Sequence, residues 1–312
     1  MAFDSREVRL ASHVPTGLPL TSASFRLTRS PVGGPVVVRN RWMAVTAAMR
    51  TLISGSAGPM PAYQVGEVLY GPAVGEVVAS SRPDLAVGDW VRHGLGWREY
   101  AAVGAWRRIE PVSSADEAMG HLGQGLTTYV GLRAAAEVRP GDTVLVTGAA
   151  GAVGSVAAPI ARLLGAARVV GTSGSPGRAA HLGYDAVYDR RAVALAEVVP
   201  EGVDAVLDTV GGRRLREVVG LVRPGGRVAL CGALAHQVGG EPAGVELDLM
   251  ELIGRRVTLR GFTAADHPQL REEWRELGLR EPYTVVDGLD GASRALVDLL
   301  AGGFVGAVIV GV

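Results

Sequence analysis

The rhythm of apolar and polar positions changes near residue 120. Upstream, short apolar runs alternate with turn signals: Val36–Arg39, Val74–Ala79 and Asp89–Arg92 are separated by Pro31–Pro35, Arg82–Asp84 and Val87–Asp89. Irregular strands at this spacing predict a small, partly open barrel or sandwich over the first 115 residues. One helical candidate, Ala44–Leu52, interrupts them. Downstream, strands and helices alternate. Leu126–Ala136 reads as a helix, Thr143–Thr147 as a short apolar strand, and the stretch after Gly154 as a helix to Leu164. Further strands are expected at Arg168–Thr172, Ala186–Tyr188, Val203–Leu207, Gly226–Cys231 and Val257–Gly261, with helices near 191–199, 212–221 and 246–254 between them. Strands that are apolar on both faces and alternate with helices mean a parallel sheet covered on both sides. The last 45 residues carry two more helices, Gln269–Leu277 and Gly291–Leu300, and end in an apolar strand, Ala307–Val310, that could complete either part.

Composition narrows the picture. The 312 residues suggest two domains. Acidic and basic residues balance at 31 each, which argues against a nucleic-acid partner or an anionic membrane surface. All 31 basic residues are Arg, so no lysine Schiff base or lysine general base exists here. The start, MAFDSREVRL, carries acids and lacks an apolar core, so a cytoplasmic location is expected. Thr143–Ala161 runs 19 residues without a charge and first suggests a membrane helix; three glycines and Pro159 within it argue otherwise. One cysteine, Cys231, and six scattered histidines exclude a disulfide framework and show no zinc-ligand spacing, so no metal is expected.

The most informative motif is Gly148-x-x-Gly151-x-x-Gly154, set between an expected strand and an expected helix. That is the context of a dinucleotide-binding turn. The first Gly permits the turn, the second lets the backbone approach a pyrophosphate, and the third lets the helix pack on the strand. The second strand sharpens this. An NAD site usually ends it with Asp or Glu for the ribose hydroxyls. Here it ends Gly171-Thr172-Ser173-Gly174-Ser175-Pro176-Gly177-Arg178, without an acid. Hydroxyls and an Arg suit a ribose 2′-phosphate, which predicts NADP(H). Arg190 and Arg191 could add a second cation.

At this point the chain resembles the medium-chain dehydrogenase/reductase superfamily, and within it the zinc-free, NADP-dependent double-bond reductases of the prostaglandin reductase and alkenal reductase type. The resemblance rests on Gly66–Val68, Gly75–Ser80, Val87–Asp89, Gly94–Tyr100, Gly125–Leu132, the glycine loop, Gly225–Arg227, Cys231–Ala233 and Gly261–Phe262. It implies an α/β fold in which a Rossmann doubly wound parallel sheet is inserted in a GroES-like β-rich domain. The expected boundaries are 1–118 and 266–312 for the GroES-like domain and 119–265 for the NADP-binding domain. It also implies a homodimer and a cofactor cleft between the domains. By resemblance, Gly148, Ala150, Gly151, Ala152, Val153 and Gly154 form the loop that meets the pyrophosphate, and Thr127 is a further cofactor-binding residue. Ser173, Ser175, Arg178 and Arg190 meet the 2′-phosphate. Thr209, Cys231, Gly232, Ala233, Phe262 and Thr263 line the nicotinamide half. The chain departs from the subfamily at Thr46-Ala47-Ala48, at Gln237, at Phe304 and at Arg190, where relatives carry an aspartate-proline-tyrosine, a tyrosine, an asparagine and a tyrosine.

The implied reaction is hydride transfer from NADPH to the β-carbon of an alkene conjugated to a carbonyl, with a small-molecule unsaturated carbonyl compound as the partner. It needs a stabilised oxygen and a proton for the α-carbon. Tyr63, Tyr70 and His236 are the catalytic candidates, with Tyr129 an alternative that suits the core equally well. Two other readings stay open: a quinone oxidoreductase, and an NADPH-binding protein that is redox-neutral or non-catalytic, such as a cyclase, lyase or scaffold.

Overall fold

The computed structural model describes residues 2–56, 61–189 and 191–312. The chain divides into two compact units. One comprises Met1–Gly123, Tyr283–Gly303 and Ala307–Val312; the other comprises Gln124–Pro282 with Phe304–Gly306.

The second unit is a six-stranded, all-parallel sheet. In chain order its strands are β1 (Thr143–Thr147), β2 (Arg168–Ser173), β3 (Ala186–Asp189), β4 (Val203–Asp208), β5 (Val222–Leu230) and β6 (Thr258–Gly261). They lie side by side in the order β3-β2-β1-β4-β5-β6. This is the doubly wound dinucleotide-binding order, which reverses direction between β1 and β4. Alternation along β1 explains why the sheet is covered on both sides. Val144 and Val146 point into one apolar layer with Leu132, Ile160 and Leu207. Leu145 points into the other with Val206, Leu215, Val218 and Val228. Each fully buried Leu or Ile contributes about 1.5–3 kcal/mol. The charge-free stretch from Thr143 is thus a strand, a loop and a buried helix. No helix among the described residues is long and apolar enough to cross a membrane.

Two helices differ from the sequence expectation. Leu126–Ala136 is an α-helix only over Gly125–Val130 and widens into a π-helical turn over Gly131–Ala135. Arg227 and Arg260 donate to the carbonyls of Ala136 and Ala134 at its exit. The helix after the glycine loop begins as a 3-10 turn, Gly154–Val156, before Ala157–Leu163. The second unit also extends beyond the expected boundary at 265. The helix Leu270–Glu276 belongs to it, because Leu270 and Trp274 pack into its core and Tyr129 donates to Glu273 at 2.9 Å. Where the chain leaves this unit, the Glu281 carboxylate accepts the backbone N–H groups of Gln124 (2.7 Å) and Gly125 (2.8 Å).

In the first unit, Val36–Val45 is the central strand, and its ends are buried. It pairs antiparallel with Ala73–Ser80 on one side and with the C-terminal strand Ala307–Gly311 on the other. Tyr283–Asp287, Trp90–His93, Tyr100–Ala102 and Arg107–Ile109 complete a seven-stranded sheet. Phe3–Leu10 and Phe25–Val32 form a separate antiparallel pair. Ala44 and Val45, expected as helical, close the central strand; the helix is only Met49–Ile53.

Candidate functional site

The parallel strands end at one edge of the second unit, and the turns there gather most of the expected site residues. The glycine loop follows β1. Gly148 has φ +71° and Ala149 N–H donates to the Thr172 carbonyl at 2.9 Å, which ties the loop to β2. A Cβ on Gly154 would stand 2.3 Å from the Gly148 carbonyl oxygen and 2.7 Å from the Ala149 Cα. Only glycine lets the following helix approach this closely. At Gly151 a Cβ would meet only the Gly148 oxygen, at 3.3 Å, and the residue is exposed. Gly151 therefore offers an open backbone face, whereas Gly154 is filled by the fold itself. Ala150 and Gly151 are braced by a segment that returns from the C-terminal region: Gly306 N–H donates to the Ala150 carbonyl at 2.9 Å. Nothing in the local sequence signals this brace.

Beside the loop, β2 ends in a turn of hydroxyls. Ser173 is buried and its Oγ accepts the Ser175 N–H at 3.0 Å. Ser175 and Arg178 are exposed. Arg191 donates to the Gly174 carbonyl at 2.7 Å and lies 3.6 Å from Asp189, so it buttresses the turn. Arg190 lies outside the described residues. No carboxylate stands between Gly171 and Arg178.

Beyond the switch in strand order, β4 ends at Asp208, followed by Thr209. The Thr209 hydroxyl donates to the Thr147 carbonyl at 2.7 Å and sits where a Cβ on Gly148 would be, 2.4 Å away. Cys231 and Gly232 follow β5, and both donate N–H to the Asp208 carbonyl, at 2.8 and 3.2 Å. Burial, with Asp208 adding to it, pushes the Cys231 thiol up to about 12, so it stays protonated. Ala233 caps the short helix Leu234–Gly239, which carries His236.

The remaining cofactor candidates are less central. Thr127 is half-buried, its Oγ1 3.3 Å from the Gln124 side chain. Its neighbour Thr128, missed in the sequence, is fully buried and donates to the Val153 carbonyl of the glycine loop at 2.8 Å. The Phe262 ring packs into the core where a Cβ on Gly131 would be, 2.8 Å away, so it supports the π-helical turn. Thr263 uses its hydroxyl locally, accepting from Ala265 N–H.

The catalytic candidates fare differently. Tyr63 is a core residue of the first unit, 2% exposed, and its hydroxyl donates to the Tyr70 carbonyl at 2.5 Å. Burial and the neighbouring Tyr70 raise its pKa. Its proton is given to that carbonyl, which speaks against a catalytic acid. Tyr70 packs edge-on against Tyr63, is partly exposed, and donates to the Pro61 carbonyl. His236 Nδ1 lies 2.7 Å from the Glu241 carbonyl, which can only accept. Nδ1 thus carries a hydrogen. Tyr129 is buried against Trp274.

Residues 6–112 match the family model "N-terminal domain of oxidoreductase", and residues 152–280 match "Zinc-binding dehydrogenase". Cys231 is this chain's only cysteine, and among the described residues no three His, Cys, Asp or Glu side chains are grouped to hold a metal. The NADPH-dependent curcumin reductase of Escherichia coli is 29% identical, over 95% of this chain and 94% of that protein. Prostaglandin reductase 1 of Bos taurus is 30% identical, over 89% of each chain. The crystal structure of CurA from Vibrio vulnificus in complex with NADPH superposes with a TM-score of 0.87 at 29% identity, over 98% of both chains. The chain belongs to the medium-chain dehydrogenase/reductase superfamily, among its NADP-dependent double-bond reductases.

Proposed function

We propose that this chain is an NADPH-dependent, zinc-free reductase of the carbon–carbon double bond of α,β-unsaturated carbonyl compounds. One observation carries the reading: an open-faced glycine loop stands beside a strand that ends in Ser173, Ser175 and Arg178 with no carboxylate. The names of its relatives, curcumin reductase and prostaglandin reductase, support the substrate class. The backbone of Ala150, Gly151, Ala152 and Val153 would face the pyrophosphate, with the Gly151 N–H already given to the Gly148 carbonyl at 2.9 Å. The turn at Ser173 and Ser175 would hold the 2′-phosphate with Arg178, whose planar guanidinium suits two phosphate oxygens. Thr209, Cys231, Gly232 and Ala233 would border the nicotinamide half.

When bound, NADPH supplies the hydride for the β-carbon. The protein's share is to orient the alkene, stabilise the carbonyl oxygen and deliver a proton to the α-carbon. Of the two tyrosines, Tyr70 is the one left partly exposed, and it would deliver a proton only by giving up its hydrogen bond to the Pro61 carbonyl. The test is NADPH oxidation with a panel of enones, enals and quinones. Consumption of NADPH with a saturated product supports the reading. A hydroquinone product, or tight NADPH binding without turnover on any member, overturns it.

We also infer a homodimer. Leu249, Met250 and Ile253 are 69%, 75% and 67% exposed on the helix that precedes the edge strand β6. An apolar cluster beside an unpaired strand edge is a natural surface for a second copy.

A further inference from the structure

Asp208 is fully buried at the end of β4, yet no ion pair reaches it among the described residues. Neutral donors surround it instead. The Thr147 hydroxyl donates to Oδ1 at 2.6 Å and Gly211 N–H to Oδ2 at 2.8 Å. Thr147 Oγ1 in turn accepts Thr209 N–H at 2.9 Å. The Asp208 carbonyl accepts from Cys231 and Gly232. One residue therefore joins the turns after β1, β4 and β5. The joint is tight: a Cβ on Gly232 would stand 2.8 Å from the Thr209 carbonyl oxygen, and Gly211 has φ +67°. Burying a carboxylate among neutral donors is a poor way to gain stability, since an apolar residue of similar size often serves as well. Such a group is better explained by the geometry it imposes.

We propose that Asp208 is a positioning residue for the nicotinamide half of the bound dinucleotide: its carboxylate fixes Thr147, Thr209 and Gly211 so that the turns after β1 and β4 keep one spacing. The proposal rests on the reading that these turns carry NADPH. Asp208→Ala removes both acceptors and leaves the Thr147 hydroxyl and the Gly211 N–H without a buried partner. Asp208→Asn keeps an acceptor for Gly211 and offers its amide N–H to the second lone pair of Thr147. Thr147→Val removes the hydroxyl at constant shape.

Dissociation constants are measured for NADPH and for 2′,5′-ADP, which carries the adenosine with its 2′- and 5′-phosphates but no nicotinamide half. Asp208→Ala and Thr147→Val should weaken NADPH roughly tenfold while leaving 2′,5′-ADP within about twofold. Asp208→Asn should recover NADPH to within about threefold of the unaltered chain. If Asp208→Ala does not fold, the Asn and Val variants carry the comparison. Equal losses for both ligands make the carboxylate a prop for the sheet and overturn the proposal. So does NADPH affinity that is unchanged in every variant, or an Asn variant as weak as the Ala or Val variant. Failure of the unaltered chain to bind NADPH would instead overturn the functional reading itself.

Discussion

Glu281 makes the second unit's stability depend on pH in a direction opposite to that of most carboxylates. Burial raises its pKa from an ordinary 4.5 to about 7, against the two backbone N–H bonds from Gln124 and Gly125, which favour the charged form. The native group thus holds its proton at a pH where the unfolded chain has released it. The native state binds more protons at this group, so its contribution to stability is full below about pH 4.5 and is lost as pH rises through 7. At about 1.4 kcal/mol per pH unit the whole window amounts to about 3 kcal/mol, of which roughly 2 kcal/mol falls between pH 5 and 7.5. Glu281→Gln keeps an oxygen for the two N–H groups and cannot ionise. Urea denaturation followed by far-ultraviolet circular dichroism compares the two proteins across that range. At pH 5 they should be nearly equal; at pH 7.5 the Gln variant should be more stable by about 2 kcal/mol. A difference that does not change with pH, or a Gln variant less stable at pH 7.5, refutes the reasoning.

Other predictions concern the cofactor turns and the first unit. Arg178→Ala should weaken NADPH by roughly 10–100-fold and NADH by less than about threefold, read by fluorescence titration; equal losses would remove Arg178 from the 2′-phosphate. Gly154→Ala forces a Cβ onto the Gly148 carbonyl and should cost about 1–3 kcal/mol in denaturation, whereas Gly151→Ala should fold normally and lose NADPH affinity alone. Tyr63→Phe should cost about 1 kcal/mol of stability and leave the pH profile of turnover unchanged. Met250→Glu with Ile253→Glu should halve the mass measured by light scattering, if these exposed residues join two copies.

How much of this was legible in the sequence follows from the range of each interaction. β1 announces itself because burial on both faces demands an apolar run, whereas β4 is weaker in sequence because Asp204 interrupts it. The glycine spacing reports a steric demand confined to seven consecutive residues, so it survives in one dimension. Asp208 and Thr147 lie 61 positions apart and meet only because β4 lies beside β1. Thr128 and Gly306 brace the glycine loop from distant segments and carry no local mark. A tyrosine in a pocket and one such as Tyr63, whose hydroxyl meets a buried carbonyl, look alike in sequence. The expected helix at 191–199 shrinks to Leu195–Val198. The helix Leu234–Gly239 was overlooked because six residues carry too little periodicity.

The sheet of the first unit has a consequence for the order in which the chain is made. Its central strand ends at Val45, but the strand that covers one side of it begins at Ala307, some 260 residues later. All of Gln124–Pro282 lies between them. At roughly 5–20 residues per second, a ribosome takes about 10–50 s to cover that gap. The six parallel strands of the second unit leave the exit tunnel together, while the earlier-born strands still present an open edge. During synthesis, then, the later unit has the first chance to fold. Until Ala307–Gly311 arrives, the central strand's only protection against pairing with a neighbour's nascent edge is the shortness and irregularity of the strands around it.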